Sequence, residues 1–371
     1  MEESELIYMV ALNRILRFNG KAALKMISLS GSAERLFNME REELISLAGK
    51  DYGFFDLIIN QKEVESAVKE VEWCRSQGIS ILCSTDVNGE YPESLRECLD
   101  HPILIYKKGE ASLKNKKMLS VVGTRRATDY GRSICRKIIS DLSNITDCLC
   151  IVSGLAFGID AQAHRQALEC GVDTIGVLAG GLDKVYPASH AYMAKEICSK
   201  GALISEFPRE SECNKFNFIQ RNRIIAGISQ GTLIVESNLK GGSMITASLA
   251  SSYGRELIAV PGRVSDKLSG GCNMLISRNM ASIYTNSQDL AHLLGWGCKA
   301  PEKRHSVKSL FHPQDFAKEK ILVALESDSS LEIDRVADLT GISVKDLAPA
   351  LLELELEGRV AVVAGKRYML L

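Results

Sequence analysis

Apolar residues recur every three to four positions in "LIYMVALNRILRFNGKAALKMISL", with one break at Asn19-Gly20. That period predicts helices on either side of a turn. "SAERLFNMEREELISLAG" continues the helical pattern, with Ser32 and Glu34 as start signals and Gly49 as a stop. From about residue 117 to 295 the pattern changes. Short runs apolar on both faces appear at 118–123, 148–154, 174–181, 202–206, 232–237 and 257–262, and a helix-length segment separates most neighbours. Periodicity lapses over 298–316, which carries Pro301 and Pro313 and reads as a linker. Two helical stretches joined at a glycine turn follow, "SLEIDRVADLTG" and "SVKDLAPALLELELEG", and then a hairpin with Ala364-Gly365 at its tip.

Strands apolar on both faces, alternating with helices, predict a parallel sheet covered on both sides. The expected fold class is therefore α/β, with a Rossmann-like, doubly wound core. Such sheets bind ligands outside the carboxyl ends of their strands. Helix-turn-helix plus hairpin predicts a winged helix. The short helices around a glycine turn at the front resemble a sterile-alpha-motif or helix-hairpin-helix module. The expected organisation is a helical domain over 1–80, the core over 81–297, a linker over 298–316 and the winged helix over 317–371.

Composition narrows the possibilities. The chain has 371 residues, 46% hydrophobic and 25% charged, as expected of a soluble globular protein. The start "MEESELIYMVALNR" reads as neither signal peptide nor membrane span. Eleven cysteines, scattered without a CxxC pair, predict reduced thiols in the cytoplasm. No metal site and no cofactor are expected. Formal net charge is −1, so a polyanion has to meet a local basic patch. One runs from Lys114 to Lys137, with eight Lys/Arg and a single acid, Asp129.

The strand ends carry the candidate chemistry. Gly123, Thr124, Arg125 and Arg126 follow the first core strand, and Ser153, Gly154, Gly158 and Asp160 the second. "GGLDKVYPASH", with Lys184, follows the third, and Lys240, Gly241, Gly242 and Ser243 open a later helix. Glycine lets backbone approach closely, and a helix N-terminus offers free N–H groups and partial positive charge. Several such turns on one sheet edge predict an anion pocket. Arg221, Asn222 and Arg223 lie inside the apolar run "FNFIQRNRIIAGIS". In mid-helix the two arginines stand roughly 200° apart and cannot serve one ligand. At the helix N-terminal end they can, with Arg221 inward over the sheet and Arg223 toward the rim. The alternative is an internal salt bridge, such as Arg221 with Asp160 or Glu236. Ser153, Asp160 and His164 make a triad only on paper, because Ser153 lacks a G-x-S-x-G setting. Neither G-x-G-x-x-G at the first turn nor a Walker motif is present.

"VVGTRRATDYG", "IVSGLAFGIDAQAHRQAL", "GGLDKVYPASH", "FIQRNRIIAGIS", "GGSMITASLASSYGRELIAVPG" and "GGCNMLI" together resemble, in order and spacing, the DNA-processing protein A (DprA/Smf) family over roughly residues 85–290. The resemblance implies a non-enzymatic protein of natural transformation that binds and protects incoming single-stranded DNA and loads the RecA recombinase. It also implies a homodimer formed through the core, for which the segment "MASIYTNSQDLAHLLGW" is the candidate surface. The implied pocket residues are Arg125, Lys184, Arg221 and Arg223. Phe157 stands in "SGLAFGID" where the family often has a polar or basic residue, and is either a base-stacking platform or a pocket wall or core residue. "SEFPRE", "FNFIQRNR" and "ISRNMAS" depart from the family pattern at loops. The tail departs in charge: residues 318–358 hold ten Asp/Glu against four Lys/Arg, which predicts protein contacts or a regulatory role rather than groove reading. Two other readings of the fold remain: a small-nucleotide sensor, and a phosphoribohydrolase. The second needs a catalytic acid after the "GGSMITASLAS" turn, where none occurs before Glu256, leaving Glu236 as substitute.

Overall fold

The computed structural model describes residues 2–16, 18–297, 313–326, 330–363 and 367–370. It divides into two compact units, Met1–Ala300 and Pro301–Leu371. The first unit opens with helices α1 (Glu3–Ile15), α2 (Gly20–Ser30), α3 (Ala33–Phe37), α4 (Arg41–Ala48), α5 (Phe55–Ile59) and α6 (Lys62–Ser76). Their ends are set locally. The Asn19 side chain accepts from the Ala22 N–H at the start of α2, Ser32 does the same for Arg35 at α3, and Gly49 closes α4 in the left-handed region.

The sheet follows, its elements in the order β1 (Ile79–Cys83), α7 (Glu93–Arg96), β2 (Leu104–Lys108), β3 (Lys117–Val122), α8 (Asp129–Ile145), β4 (Leu149–Ser153), α9 (Ile159–Glu169), β5 (Asp173–Val177), α10 (Ala191–Lys200), β6 (Ala202–Ser205), α11 (Lys215–Ile228), β7 (Gly231–Ile234), α12 (Gly242–Ser252), β8 (Glu256–Ala259), α13 (Gly270–Ser277), β9 (Ser282–Ile283) and α14 (Ser287–Leu293). The strand order is β1-β2-β6-β5-β4-β3-β7-β8-β9. From β6 to β9 all neighbours are parallel, while β1 and β2 run antiparallel at one edge. The chain winds outward from β3 to β6, and α11 then carries it back to β7 on the other side of β3. Strand order therefore reverses between β3 and β7.

Alternate strand residues serve opposite faces. Leu119 and Val121 of β3, with Leu149 and Ile151 of β4, pack under α8, α9 and α14. Met118 and Val122, with Cys150 and Val152, pack under α11, α12 and α13. All six predicted core strands are present. The strands β1, β2 and β9 were not expected. "LIYKK" of β2 ends in two lysines, yet Lys107 is buried and paired with Glu90 at 2.7 Å. The N-terminal helices share their core with this edge: Met9, Leu12, Leu36 and Phe55 join Leu104, Tyr106 and Leu203 in one cluster. In the candidate dimer segment, Tyr284, Leu290, Ala291 and Trp296 are spent on the core under α8, while Met280 and Ile283 stay exposed at the β9 edge.

The second unit contains α15 (Pro313–Glu326), β10 (Leu331–Glu332), α16 (Ile333–Thr340), α17 (Val344–Leu356), β11 (Val360–Val363) and β12 (Arg367–Leu370). Its antiparallel sheet has the order β10-β12-β11. Ile321, Leu325, Val336, Leu347, Leu351 and Leu354 form its core, and the whole is a winged helix. Most of the expected linker and the hairpin tip at Ala364-Gly365 lie outside the described residues, and 313–316 belong to α15. Among the described residues, no helix is long and apolar enough to cross a membrane.

Candidate functional site

The reversal of strand order between β3 and β7 leaves a crevice at their carboxyl ends, the place where such sheets bind ligands. A cleft of about 1020 Å³ opens there. Five pieces of chain build it: the loop Gly123–Arg126 after β3, Ala156 and Asp160 around the start of α9, the first half of α11, the start of α12 with Gly242 and Ser243, and Lys267 and Leu268 before α13. The Thr124 N–H donates to the Glu236 carbonyl (2.7 Å), which ties the β3 loop to the end of β7. At the start of α12 the N-cap is Gly241, which supplies no side-chain cap. Among the described residues, Arg125, Arg126, Lys215, Arg221 and Lys267 line the cleft, against a single carboxylate, Asp160.

Arg221 is buried in the cleft floor. Its Nη1 donates to the carbonyls of Gly154 (2.6 Å) and Val177 (2.5 Å), at the ends of β4 and β5. Its Nε donates to the Asn222 side chain at 3.2 Å. Nη2 takes no part in these bonds. Gly154 is required by this arrangement, because a Cβ there would lie 2.5 Å from Nη1 and 2.7 Å from Cζ. Burial pulls the Arg221 guanidinium down to about 10; Asp160 opposes that shift and Arg125 adds to it. Burial also raises the Asp160 carboxyl, with Arg221 as the main opposing influence. The guanidinium carbons of Arg125 and Arg221 lie 5.2 and 5.6 Å from the centre of one ring, Phe218. Two cations held this close, in a pocket with one partly offsetting acid, make a receptor for an anion.

Arg223 differs from expectation. The helix α11 begins at Lys215, so both arginines sit within it rather than at its start. Arg223 does not reach the cleft rim. It is buried and ion-paired with the fully buried Glu206, and its Nη2 also donates to the Phe18 carbonyl at 3.4 Å. An internal salt bridge does exist here, but it belongs to Arg223, and its acid is neither Asp160 nor Glu236.

The other expected residues separate into two groups. Gly123, Thr124, Arg125, Arg126, Asn222, Gly242 and Ser243 line the cleft with Arg221. Lys184 and Lys240 are exposed and lie outside that lining. Phe157 is 49% exposed, also outside the lining, with its ring edge-on to His190 at 4.9 Å. The paper triad does not form: Ser153 Oγ donates to the Val121 carbonyl, and His164 Nδ1 meets Thr174 Oγ1 at 2.7 Å. Sequence reasoning missed Phe218, although it stands three residues before Arg221 at helical spacing. It also missed Lys215, the first residue of α11, and Lys267, which a loop brings to the cleft from beyond β8.

The model of the DNA recombination-mediator protein A family matches residues 82–295, and the DprA winged helix domain matches 312–366. The chain belongs to the DNA recombination-mediator protein A family. Protein Smf of Escherichia coli is 37% identical over 282 residues, which covers 74% of each chain. DNA processing protein DprA of Streptococcus pneumoniae is 39% identical over 200 residues, 54% of this chain and 70% of that one. The X-ray structure of the Streptococcus pneumoniae protein superposes with a TM-score of 0.68 at 31% identity, covering 78% of this chain and 98% of that one. The Helicobacter pylori member, solved for its single-stranded DNA binding mode, superposes with a TM-score of 0.52 at 29% identity, covering 58% and 95%.

Proposed function

We propose that this chain binds single-stranded DNA in the cleft between β3 and β7, without sequence preference, as a DNA-processing protein of natural transformation. The observation that carries the reading is the convergence of Arg125 and Arg221 on Phe218 in a cleft with one carboxylate. Arginine meets backbone phosphate, the glycine-opened start of α12 offers N–H groups to the same anion, and Phe218 supplies an apolar face. The single-stranded DNA named for the Helicobacter pylori relative supports the choice of polymer. In the cell the protein would act in the cytoplasm as a homodimer, shield incoming single strands and load the RecA recombinase onto them. Two clefts on one strand would raise avidity.

The function proposed is binding, not catalysis. Glu236, the one carboxylate near the α12 turn, is buried and accepts from both the Thr128 N–H (3.0 Å) and its hydroxyl. Gly131 leaves room for it, since a Cβ there would lie 2.2 Å from Oε2. It holds Thr128, the N-cap of α8, instead of facing a substrate, which counts against phosphoribohydrolase chemistry.

Fluorescence anisotropy with single- and double-stranded oligonucleotides across a salt series tests the reading. Single-strand preference is expected, lost in Arg125→Ala and Arg221→Ala with the fold intact. Each phosphate no longer neutralised should flatten the slope of log affinity against log salt by about 0.7. Tight binding of a mononucleotide with none of oligonucleotides would favour the sensor instead.

A further inference from the structure

Arg221 and Arg223 are two residues apart, so they leave α11 roughly 200° apart around its axis. Each is held by groups from a different part of the molecule. On one side, Arg221 is bonded to the carbonyls that end β4 and β5. On the other, Arg223 is paired with Glu206, the residue that follows β6, and bonded to the Phe18 carbonyl beyond α1. Glu206 is itself tied to α1, its own carbonyl accepting from Asn13 Nδ2 at 3.4 Å. Phe18 adopts a left-handed φ of 64° and packs edge-on against Phe207 at 5.0 Å. Neither Arg223 nor Glu206 lines the cleft.

The pair is badly made for stability alone. Glu206 Oε1 and Arg223 Nε are both buried and lack a hydrogen-bond partner. A buried ion pair with unsatisfied atoms contributes little net free energy beyond an apolar replacement. What it does fix is geometry, because two attachments on opposite sides of a helix set its rotation.

We propose that Arg223 and Glu206 are positioning residues for the DNA cleft. They lock the rotation of α11, and through it hold Arg221 and Asn222 in the cleft wall, so that the N-terminal helices govern a site they do not touch. This rests on the reading of the cleft as a single-stranded DNA site.

The test uses the full chain, a twenty-residue oligo-thymidine as probe, and the variants Glu206→Gln, Arg223→Lys and Arg223→Met, alone and combined with Arg221→Ala. Charge alone makes Glu206→Gln bind DNA more tightly, since it removes a carboxylate near a polyanion. Positioning gives the opposite sign: about ten-fold weaker binding, or ~1.4 kcal/mol. Arg223→Met should lose as much and Arg223→Lys less. None should lose further affinity in the Arg221→Ala background, because the effect travels through Arg221. Equal or tighter binding by Glu206→Gln, or full additivity with Arg221→Ala, overturns the proposal. A second arm needs no DNA: amide exchange across Lys215–Ile228 should quicken in Glu206→Gln and Arg223→Lys, and unchanged exchange overturns it equally. If wild type ignores the oligonucleotide, the functional reading fails, and the exchange arm still decides whether the pair holds α11.

Discussion

The cleft and α17 of the winged helix carry opposite charge. Around the cleft, five cationic side chains face one carboxylate. On α17, the helix that would enter a groove, Asp346, Glu353 and Glu355 stand against Lys345, with Ala348, Pro349 and Leu352 exposed between them. Lys318 does not correct the balance, because it is held by Glu353 and Glu357 at 2.7 Å each. Sharing a fold with DNA readers therefore says little about the tail's partner. The proposed polyanion site lies at the strand ends of the first unit, and α17 offers an acidic, partly apolar face.

Four experiments sharpen or break this contrast. The largest effect is expected from Gly154→Ala. The new methyl meets the end of a flexible side chain rather than backbone, so the Arg221 guanidinium should move and the fold survive. Single-strand affinity should drop about a hundred-fold with little change in unfolding midpoint; retained affinity would remove Arg221 from the site. Next is acid. Burial holds the His164 imidazole at about 3, far below its ordinary 6.5. As pH falls from 6.5 toward 3, the unfolded chain binds a proton the folded one does not. Stability is then lost at up to about 1.4 kcal/mol per pH unit. Asp160 and Glu206, both raised by burial, act with the opposite sign as they protonate, so His164→Gln is the clean comparison. It should lessen the decline of the first unit's melting temperature between pH 6.5 and 5. The winged helix, where Lys318 lowers Glu357, should hold steady in that window. Third, Leu352→Arg with Glu355→Arg should create measurable duplex affinity, about 1 kcal/mol for each phosphate newly neutralised. An unchanged affinity would mean that charge is not what keeps α17 off DNA. Smallest is Phe157→Ala. If the ring stacks a base, about 1 kcal/mol of single-strand affinity is lost and an abasic oligonucleotide shows no difference between variants. An identical loss on both would mean that the ring stacks no base.

The sequence made the parallel strands legible because each is apolar on both faces, a pattern that only a doubly covered sheet explains. β1 and β2 escaped because they pair antiparallel, outside the strand–helix alternation of the core, and β2 ends in lysines, one of them buried against Glu90. Arg221 was legible as a charge stranded in an apolar run, but its partners were not. They are backbone carbonyls 67 and 44 positions away, and a carbonyl leaves no mark in sequence. The same distance hid the role of Arg223, whose second contact is 205 positions upstream. Helical spacing alone set Phe218 near Arg221, and only the returning β3 loop reveals that Arg125 shares its ring.

The shared core between the N-terminal helices and the sheet edge has a practical side. The family's match begins at residue 82, inside β1. A fragment cut there would keep Leu104, Tyr106 and Leu203 but lose Met9, Leu12, Leu36 and Phe55, which complete their cluster. It would carry a bare greasy flank beside a ruptured strand, and such surfaces drive clumping. Preparations trimmed to the family boundary should be judged first by whether they stay dispersed, and only then by what they bind.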